Sequence, residues 1–363
     1  MIAPKKIYSE FKKNSIDQFF GVPDSVLKNF LNLIPQNKNF VSANEGSAVS
    51  HGIGYYLATK KIPAIYMQNS GLGNAINPLI SVAHHKVYSI PLFLVIGWRG
   101  SPGSNDEPQH LVKGKITKQL LKLLDIKYLV INSDKDLNKI KLLKKFAIKY
   151  QKPVAVLFEK NKITKIANNK KTKVKNSLLR SDFIKSFIKI IKKNTKIIST
   201  TGYTSRELNQ IRINYKNFAG SDFYMVGGMG HAAALGSTYS LFTQKKVCVL
   251  DGDGSMLMHL GALATSTKIL KKNFKYILFN NECHESVGMQ KTLINNIDLK
   301  LMAKSFGFKK YYEIKNYKDM IKLLKNFDKI KKSLFLNVKI KPGSIKNLSR
   351  PKNLHQIKKI FLT

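Results

Sequence analysis

One stretch, VCVLDGDGSMLMHLGALATSTKILKKNFKYILFNNECHESVGMQ over residues 247–290, limits the folds open to this chain more than any other. The apolar run 247–250 has the length and branching of a buried strand. It gives way to Gly252-Asp253-Gly254-Ser255, where two glycines allow a tight turn. The spacing then predicts an amphipathic helix with Met256, Leu260, Leu263 and Ala264 on one face, and a second apolar strand over 276–279. That strand ends in Asn280-Asn281. Strand, glycine turn, helix and strand in this order make the repeating unit of a parallel α/β sheet.

The turn also points to chemistry. Backbone N–H groups gathered at a glycine turn before a helix suit a phosphate. Asp253, with an asparagine at the tip of the next strand, can offer hard oxygen ligands to Mg²⁺ between protein and phosphates. GDG alone is a weak signal. GDG followed by residues 255–279 and then two asparagines is far more specific.

A chain of 363 residues can bury a substantial core and is long enough for two domains. No apolar run approaches the roughly 20 residues of a membrane span, which excludes a membrane protein of that kind. The start, MIAPKKIYSEF, lacks the apolar core of a signal peptide, so the expected location is the cytoplasm. Two cysteines, Cys248 and Cys283, with the first inside an expected strand, exclude a disulfide scaffold. The net charge of +42 raises nucleic-acid binding as a function, and the kind of basic residue argues against it. Of 63 Lys and Arg only Arg99, Arg180, Arg206, Arg212 and Arg350 are arginine; the lysines are scattered through nearly every helix. Nucleic-acid surfaces cluster arginine forks with stacking aromatics. The Lys-, Asn- and Ile-rich composition instead suits compositional drift at solvated faces, with attraction of a polyanionic substrate as a side effect.

Taken in order, the first half alternates helix and strand. Residues 4–20 are amphipathic and lead to Gly21-Val22-Pro23-Asp24-Ser25, where Asp24 or Ser25 can cap a helix starting near Val26. A strand over 40–43 delivers Asn44-Glu45-Gly46-Ser47-Ala48 to a small-residue helix over 48–58. Glu45 either favours that helix's N-terminus by charge or is a buried carboxylate that hydrogen-bonds a cofactor nitrogen. Strands over 64–68 and 91–97 deliver Asn69 to Asn74 and the Gly/Pro-rich loop from Trp98 and Arg99 to His110. Such a loop is where a site is built. Residues 160–177, without an acidic residue, are expected to be an exposed, mobile linker between domains 1–159 and 178–363. The second half opens with a helix over 181–192 and a strand over 196–199, then TTGYTSRE (200–207) and GGMGH (227–231) ahead of the GDG stretch. A helix over 317–325 and a strand over 333–338 follow, then a basic tail expected to pack as a helix.

Read together, NEGSA, MQNSGLGNAINPL, YSIPLFLVIGWRG, DEPQH, TTGYTSREL, GGMGHA and GDGSMLMHLGALAT resemble the phosphonopyruvate decarboxylase family of thiamine diphosphate (ThDP)-dependent 2-oxo-acid decarboxylases, close to sulfopyruvate decarboxylase. The likeness runs from Phe20 to Arg350. It implies two doubly wound parallel-sheet domains, pyrimidine-binding first and diphosphate-binding second, without the middle domain of larger relatives. It also implies ThDP and Mg²⁺ as cofactors.

By the same resemblance Glu45 matches the glutamate that hydrogen-bonds N1′ of the cofactor pyrimidine. Met229 matches the apolar residue under the bent cofactor, where core packing is the plainer account, and the Gly227 carbonyl matches the acceptor for the 4′-amine. Gly202 matches a second loop at the diphosphate, beside Gly252, Asp253, Gly254 and Ser255. Asp253, the Asn281 side chain (rather than Asn280) and the Cys283 carbonyl match the metal ligands. Asp24 matches an acidic residue near the reacting carbon. His110 and His284 are either proton donors or anion binders in the same cleft, or structural. Arg99 either forks onto the substrate's second anion or braces Asp106-Glu107. Arg206 can equally form a structural ion pair.

The implied reaction is decarboxylation of 3-phosphonopyruvate to phosphonoacetaldehyde in phosphonate biosynthesis. Sulfopyruvate decarboxylation is the first alternative and carboligation the second. Because sulfopyruvate decarboxylases are often divided into two subunits near residues 160–177, an undivided chain favours phosphonopyruvate. The family implies a homodimer or higher homo-oligomer with active sites between subunits, and no nucleic-acid or membrane partner.

Overall fold

The computed structural model describes residues 1–165, 178–215, 220–267 and 272–363. The chain forms two compact units, Met1–Lys170 with Val287–Gln290, and Lys171–Ser286 with Lys291–Thr363. The first carries a six-stranded sheet of β1 (Phe19–Gly21), β2 (Asn39–Val41), β3 (Ala64–Gln68), β4 (Phe93–Trp98), β5 (Lys127–Ile131) and β6 (Val154–Glu159). Its strand order is β2-β1-β3-β4-β6-β5, and every pairing is parallel.

The second unit repeats the pattern with β7 (Lys196–Ser199), β8 (Ser221–Tyr224), β9 (Val247–Gly252), β10 (Phe274–Asn280), β11 (Lys310–Ile314) and β12 (Leu334–Lys339). Its order is β8-β7-β9-β10-β12-β11, also all parallel. Strand for strand this is the order of the first unit. The expected α/β class with two doubly wound sheets is what the chain forms.

Each sheet is covered on both faces, so its central strands read as continuous apolar runs rather than alternating ones. All six residues of β4 and all seven of β10 are buried. Alternate side chains enter separate cores: Ala64 and Tyr66 of β3 pack on one face, Ile65 and Met67 on the other. In β9, Cys248 and Leu250 face one core and Val247 and Val249 the other.

Parallel strands whose order reverses leave a crevice at their C-terminal ends. In the first unit the reversal lies between β1 and β3, at the loops holding Asp24 and Asn69-Ser70-Gly71. In the second it lies between β7 and β9, at Thr200 and Asp253. These are the loops the sequence marks for chemistry.

Three expectations need correction. The helix after the GDG turn is broken into Asp253–Met258 and Gly261–Thr267. His259 leaves the helical region (φ −135°, ψ 54°), and glycine at 261 does little to carry a helix onward. Leu263 is buried but Ala264 is exposed, so the single apolar face does not run through. Within the stretch expected to be an exposed linker, Ile163 is instead buried and bridges Ile2. Ile2 N–H donates to Lys162 O at 2.7 Å and Thr164 N–H to Ile2 O at 3.0 Å. Residues 166–177 of the expected linker lie outside the described residues. Lastly, the helix expected from Val26 is only Lys28–Leu31. The tail does form a helix, Leu354–Leu362, anchored by buried Phe361.

Candidate active site

In the first unit Glu45 opens the helix Glu45–Thr59, whose N-cap Asn44 accepts the Ser47 N–H at 2.8 Å. Only 5% of Glu45 is exposed. Asn74 Nδ2 donates to its Oε2 at 2.8 Å. Its other oxygen lies against Gly71, where a Cβ would come within 2.4 Å of Oε1. A carboxylate held on one oxygen and wedged by a glycine keeps one orientation.

Asp24 has no exposed surface. Its Oδ2 accepts the N–H groups of Val26 (2.9 Å) and Leu27 (3.1 Å), and its Oδ1 accepts Gln68 Nε2 at 2.8 Å. Burial raises its pKa above the carboxylate range, against the pull of Gln68, the two amides and Arg99. The Gln68 bond spans the β1/β3 reversal. A β-carbon at Gly97 would fall 1.9 Å from Asp24 Oδ2, so β4 can pass here only as glycine. Asp24 thus holds the turn ahead of Lys28–Leu31 rather than capping that helix, whose N-cap Leu27 carries no side-chain cap.

Of the two roles open to Arg99, the structure displays the bracing one. Its Nε donates to Asp106 Oδ2 at 2.6 Å while Nη2 bonds Oδ1, a fork-on-fork pair, and Nη1 reaches Ser25 Oγ at 3.3 Å. Burial pushes the Asp106 carboxyl up, but Arg99 outweighs it and holds the pKa at about 2. His110 stands beside this pair, and burial, reinforced by the Arg99 charge, pushes it down to about 4. It is a neutral imidazole at neutral pH.

In the second unit three loops meet on one hydroxyl. Ser255 Oγ lies 2.8 Å from Thr200 Oγ1 and accepts the Gly230 N–H at 3.1 Å. TTGYT after β7, GGMG after β8 and GDGS after β9 are thereby stitched at the sheet reversal. The loops need glycine here, since Gly202, Gly228 and Gly230 have φ of 93°, 65° and 89°. Gly227 and Met229 are half-buried in the middle loop. At Gly252 a β-carbon would meet nothing within 4 Å, so the turn faces open space.

Asp253 is 3% exposed. Its Oδ1 accepts the Gly254 N–H at 2.7 Å, and its Oδ2 accepts the Glu282 N–H at 2.7 Å and Thr292 Oγ1 at 3.2 Å. Burial, opposed by these bonds, raises its pKa to about 6. The Glu282 bond docks the Asn281–Cys283 segment on the GDG turn. Asn281 Oδ1 accepts the Cys283 N–H at 3.2 Å. Asn280 is instead buried at the end of β10, with no partner for its Oδ1 among the described residues. His284 packs on Gly254, and burial lowers its pKa to about 4.

These groups fit a hard divalent cation. Asp253 offers a buried carboxylate with no lysine or arginine ion-paired to it among the described residues. Burial pushes the Cys283 thiol up to about 12, so it stays protonated and the oxygens of Asp253, Asn281 and the Cys283 carbonyl are the donors at hand. The open turn at Gly252 fits a diphosphate. Sequence reasoning missed Asn74, Thr292 and the buried Asp251, whose Oδ2 accepts Tyr276 Oη at 2.7 Å. In each, the signal is a partner 25 to 39 residues away.

Among the described residues no helix is long and apolar enough to cross a membrane. Residues 5–121 match the N-terminal TPP-binding domain of thiamine pyrophosphate enzymes, and residues 200–338 match the C-terminal one. The chain is 30% identical to phosphonopyruvate decarboxylase of Streptomyces viridochromogenes, covering 92% of this chain and 87% of that protein. It is also 30% identical to phosphonopyruvate decarboxylase of Streptomyces hygroscopicus, over 94% and 88%. Sulfopyruvate decarboxylase of Methanosarcina acetivorans is 26% identical over 98% and 96%.

Proposed function

The chain belongs to the thiamine diphosphate-dependent decarboxylase family that includes phosphonopyruvate decarboxylase, and on that premise we propose that it converts 3-phosphonopyruvate to phosphonoacetaldehyde and CO₂. The observation that carries this is the near full-length likeness to two phosphonopyruvate decarboxylases, at 30% identity against 26% for the sulfopyruvate enzyme. The Methanosarcina acetivorans relative spans 98% of this chain, so being undivided does not separate the two activities.

When bound, ThDP supplies an electron sink beside the substrate carbonyl carbon, so that the bond to the carboxylate can break. The chain's own residues hold and orient it. Glu45, fixed by Asn74 and Gly71, is the carboxylate for N1′ of the pyrimidine. Gly227 would offer its carbonyl to the 4′-amine, and Met229 would supply apolar bulk against the cofactor. Gly202, Gly252, Gly254 and Ser255 form the diphosphate cradle. Asp253, Asn281 and the Cys283 carbonyl would hold Mg²⁺.

In the overall reaction one C–C bond breaks, CO₂ leaves, and a proton returns to the carbon that becomes the aldehyde. His110 and His284, neutral at pH 7, can donate an N–H hydrogen bond or accept a proton. We assign Arg99 and Asp24 to holding the first-unit loops rather than to touching substrate. The enzyme is proposed to act in the cytoplasm as a homodimer or higher homo-oligomer, in phosphonate biosynthesis. The test is ³¹P NMR of 3-phosphonopyruvate with the protein, ThDP and Mg²⁺. Phosphonoacetaldehyde should appear in step with CO₂, and an unchanged phosphonate signal would refute the assignment.

A further inference from the structure

A buried guanidinium, a buried carboxylate and a half-buried one lie beside the Asn281 loop. Arg180 is 5% exposed and Glu207 has no exposed surface. Arg180 Nε donates to Glu207 Oε2 at 2.9 Å, while Nη1 and Nη2 donate to Glu285 Oε2 at 3.2 and 3.1 Å. Glu207 alone would neutralise Arg180. Glu285 is a second, half-buried carboxylate on the same guanidinium, beyond what charge balance requires.

Its remaining bonds give the use. Asn281 Nδ2 donates to Glu285 Oε2 at 3.0 Å, and the Gly343 N–H donates to Oε1 at 2.5 Å. A terminal amide can flip, exchanging oxygen for nitrogen. A carboxylate on one side forbids the flipped state, because two acceptor oxygens would then meet. Glu285 therefore fixes which end of Asn281 is oxygen and turns Oδ1 away, toward the Cys283 N–H inside the loop.

We propose that Glu285, clamped by Arg180, is the positioning residue that presents the Asn281 oxygen to the divalent cation. This rests on the reading of Asn281 and Asp253 as cation ligands. Residues that orient a ligand in this way commonly carry about 10–100-fold in metal affinity.

The test is Mn²⁺ titrated into the full-length protein with saturating ThDP, free Mn²⁺ being read by electron paramagnetic resonance. Glu285→Asp keeps the charge but withdraws the carboxylate from Asn281, and should weaken Mn²⁺ binding by about 10–100-fold. Glu285→Gln keeps the length. Three donors converge on the Oε2 position and one on Oε1, so the glutamine oxygen should take the Oε2 place, still accepting from Asn281, and the cost of setting Nε2 against the Gly343 N–H falls on the Gly343 segment rather than on Asn281. Its Mn²⁺ affinity should stay within about threefold of wild type.

Arg212→Met breaks another buried pair, to Asp222 at 2.8 Å, and should lower stability without moving Mn²⁺ affinity. Wild-type affinity in Glu285→Asp, or an equal loss in Glu285→Gln or in Arg212→Met, would overturn the proposal. Asp253→Ala separates the premise: Mn²⁺ binding that survives it would remove the cation reading, and with it the role of Glu285.

Discussion

Asn74 donates its side-chain amide to Oε2 of Glu45 across 2.8 Å, joining residues 29 apart in the chain. The bond does for Glu45 what a helix N-terminus alone would not: it selects one orientation of the carboxylate. A hydrogen bond to a charged group contributes about 1.5–3 kcal/mol. Asn74→Ala should therefore lower kcat at least about tenfold with the fold intact, whereas Glu45→Gln should keep ThDP and lose most turnover. Full activity in Glu45→Gln would refute cofactor activation by this residue.

Arg99 is predicted to matter for the loop rather than for the phosphonate. Removing it leaves Asp106 with only Lys160 at 3.5 Å and the Gly100 and Glu107 N–H groups, so the loss should fall below the about 3–5 kcal/mol of a fully broken buried pair. Urea denaturation of Arg99→Ala should show that loss, and KM should shift alike for phosphonopyruvate and pyruvate. A rise confined to phosphonopyruvate would instead put the guanidinium on the substrate.

His110 makes a prediction about acid. Its folded pKa of about 4 lies below the ordinary 6.5, so on acidification the unfolded chain takes up a proton that the folded one resists. Stability attributable to His110 is full above about pH 6.5 and is lost as pH falls toward about 4. Wild-type unfolding free energy should thus drop relative to His110→Gln across that window. A difference that stays flat from about pH 7 to about pH 4 would contradict the buried, neutral imidazole.

Asp253 carries the cation reading. Asp253→Ala should abolish Mg²⁺-dependent ThDP binding in calorimetry, while far-ultraviolet circular dichroism stays unchanged. Unaltered ThDP affinity would mean that the GDG turn has another task.

Much of the fold was legible because local signals and tertiary packing agree. The strands at 64–68 and 196–199 and the helix at 317–325 begin and end where the apolar periodicity places them. The identical strand order of the two units was not legible as a repeat, since alternation and turn chemistry preserve topology without preserving residue identity. The break at His259 was missed because a 3.6-residue pattern gives no warning when one turn is interrupted. The loop chemistry at Glu45 and Asp253 was visible as motif. Their supports were not: Asn74, Thr292 and the Arg180–Glu285 contact, whose members lie 105 residues apart, depend on chain reversals that no local window contains.

The most direct test compares kcat/KM for CO₂ release from phosphonopyruvate, sulfopyruvate and pyruvate with ThDP and Mg²⁺ present. A large preference for phosphonopyruvate, with aldehyde formed in equal amount, is the predicted result. A preference for sulfopyruvate, or no CO₂ from any of the three while ThDP remains bound, would contradict the assignment.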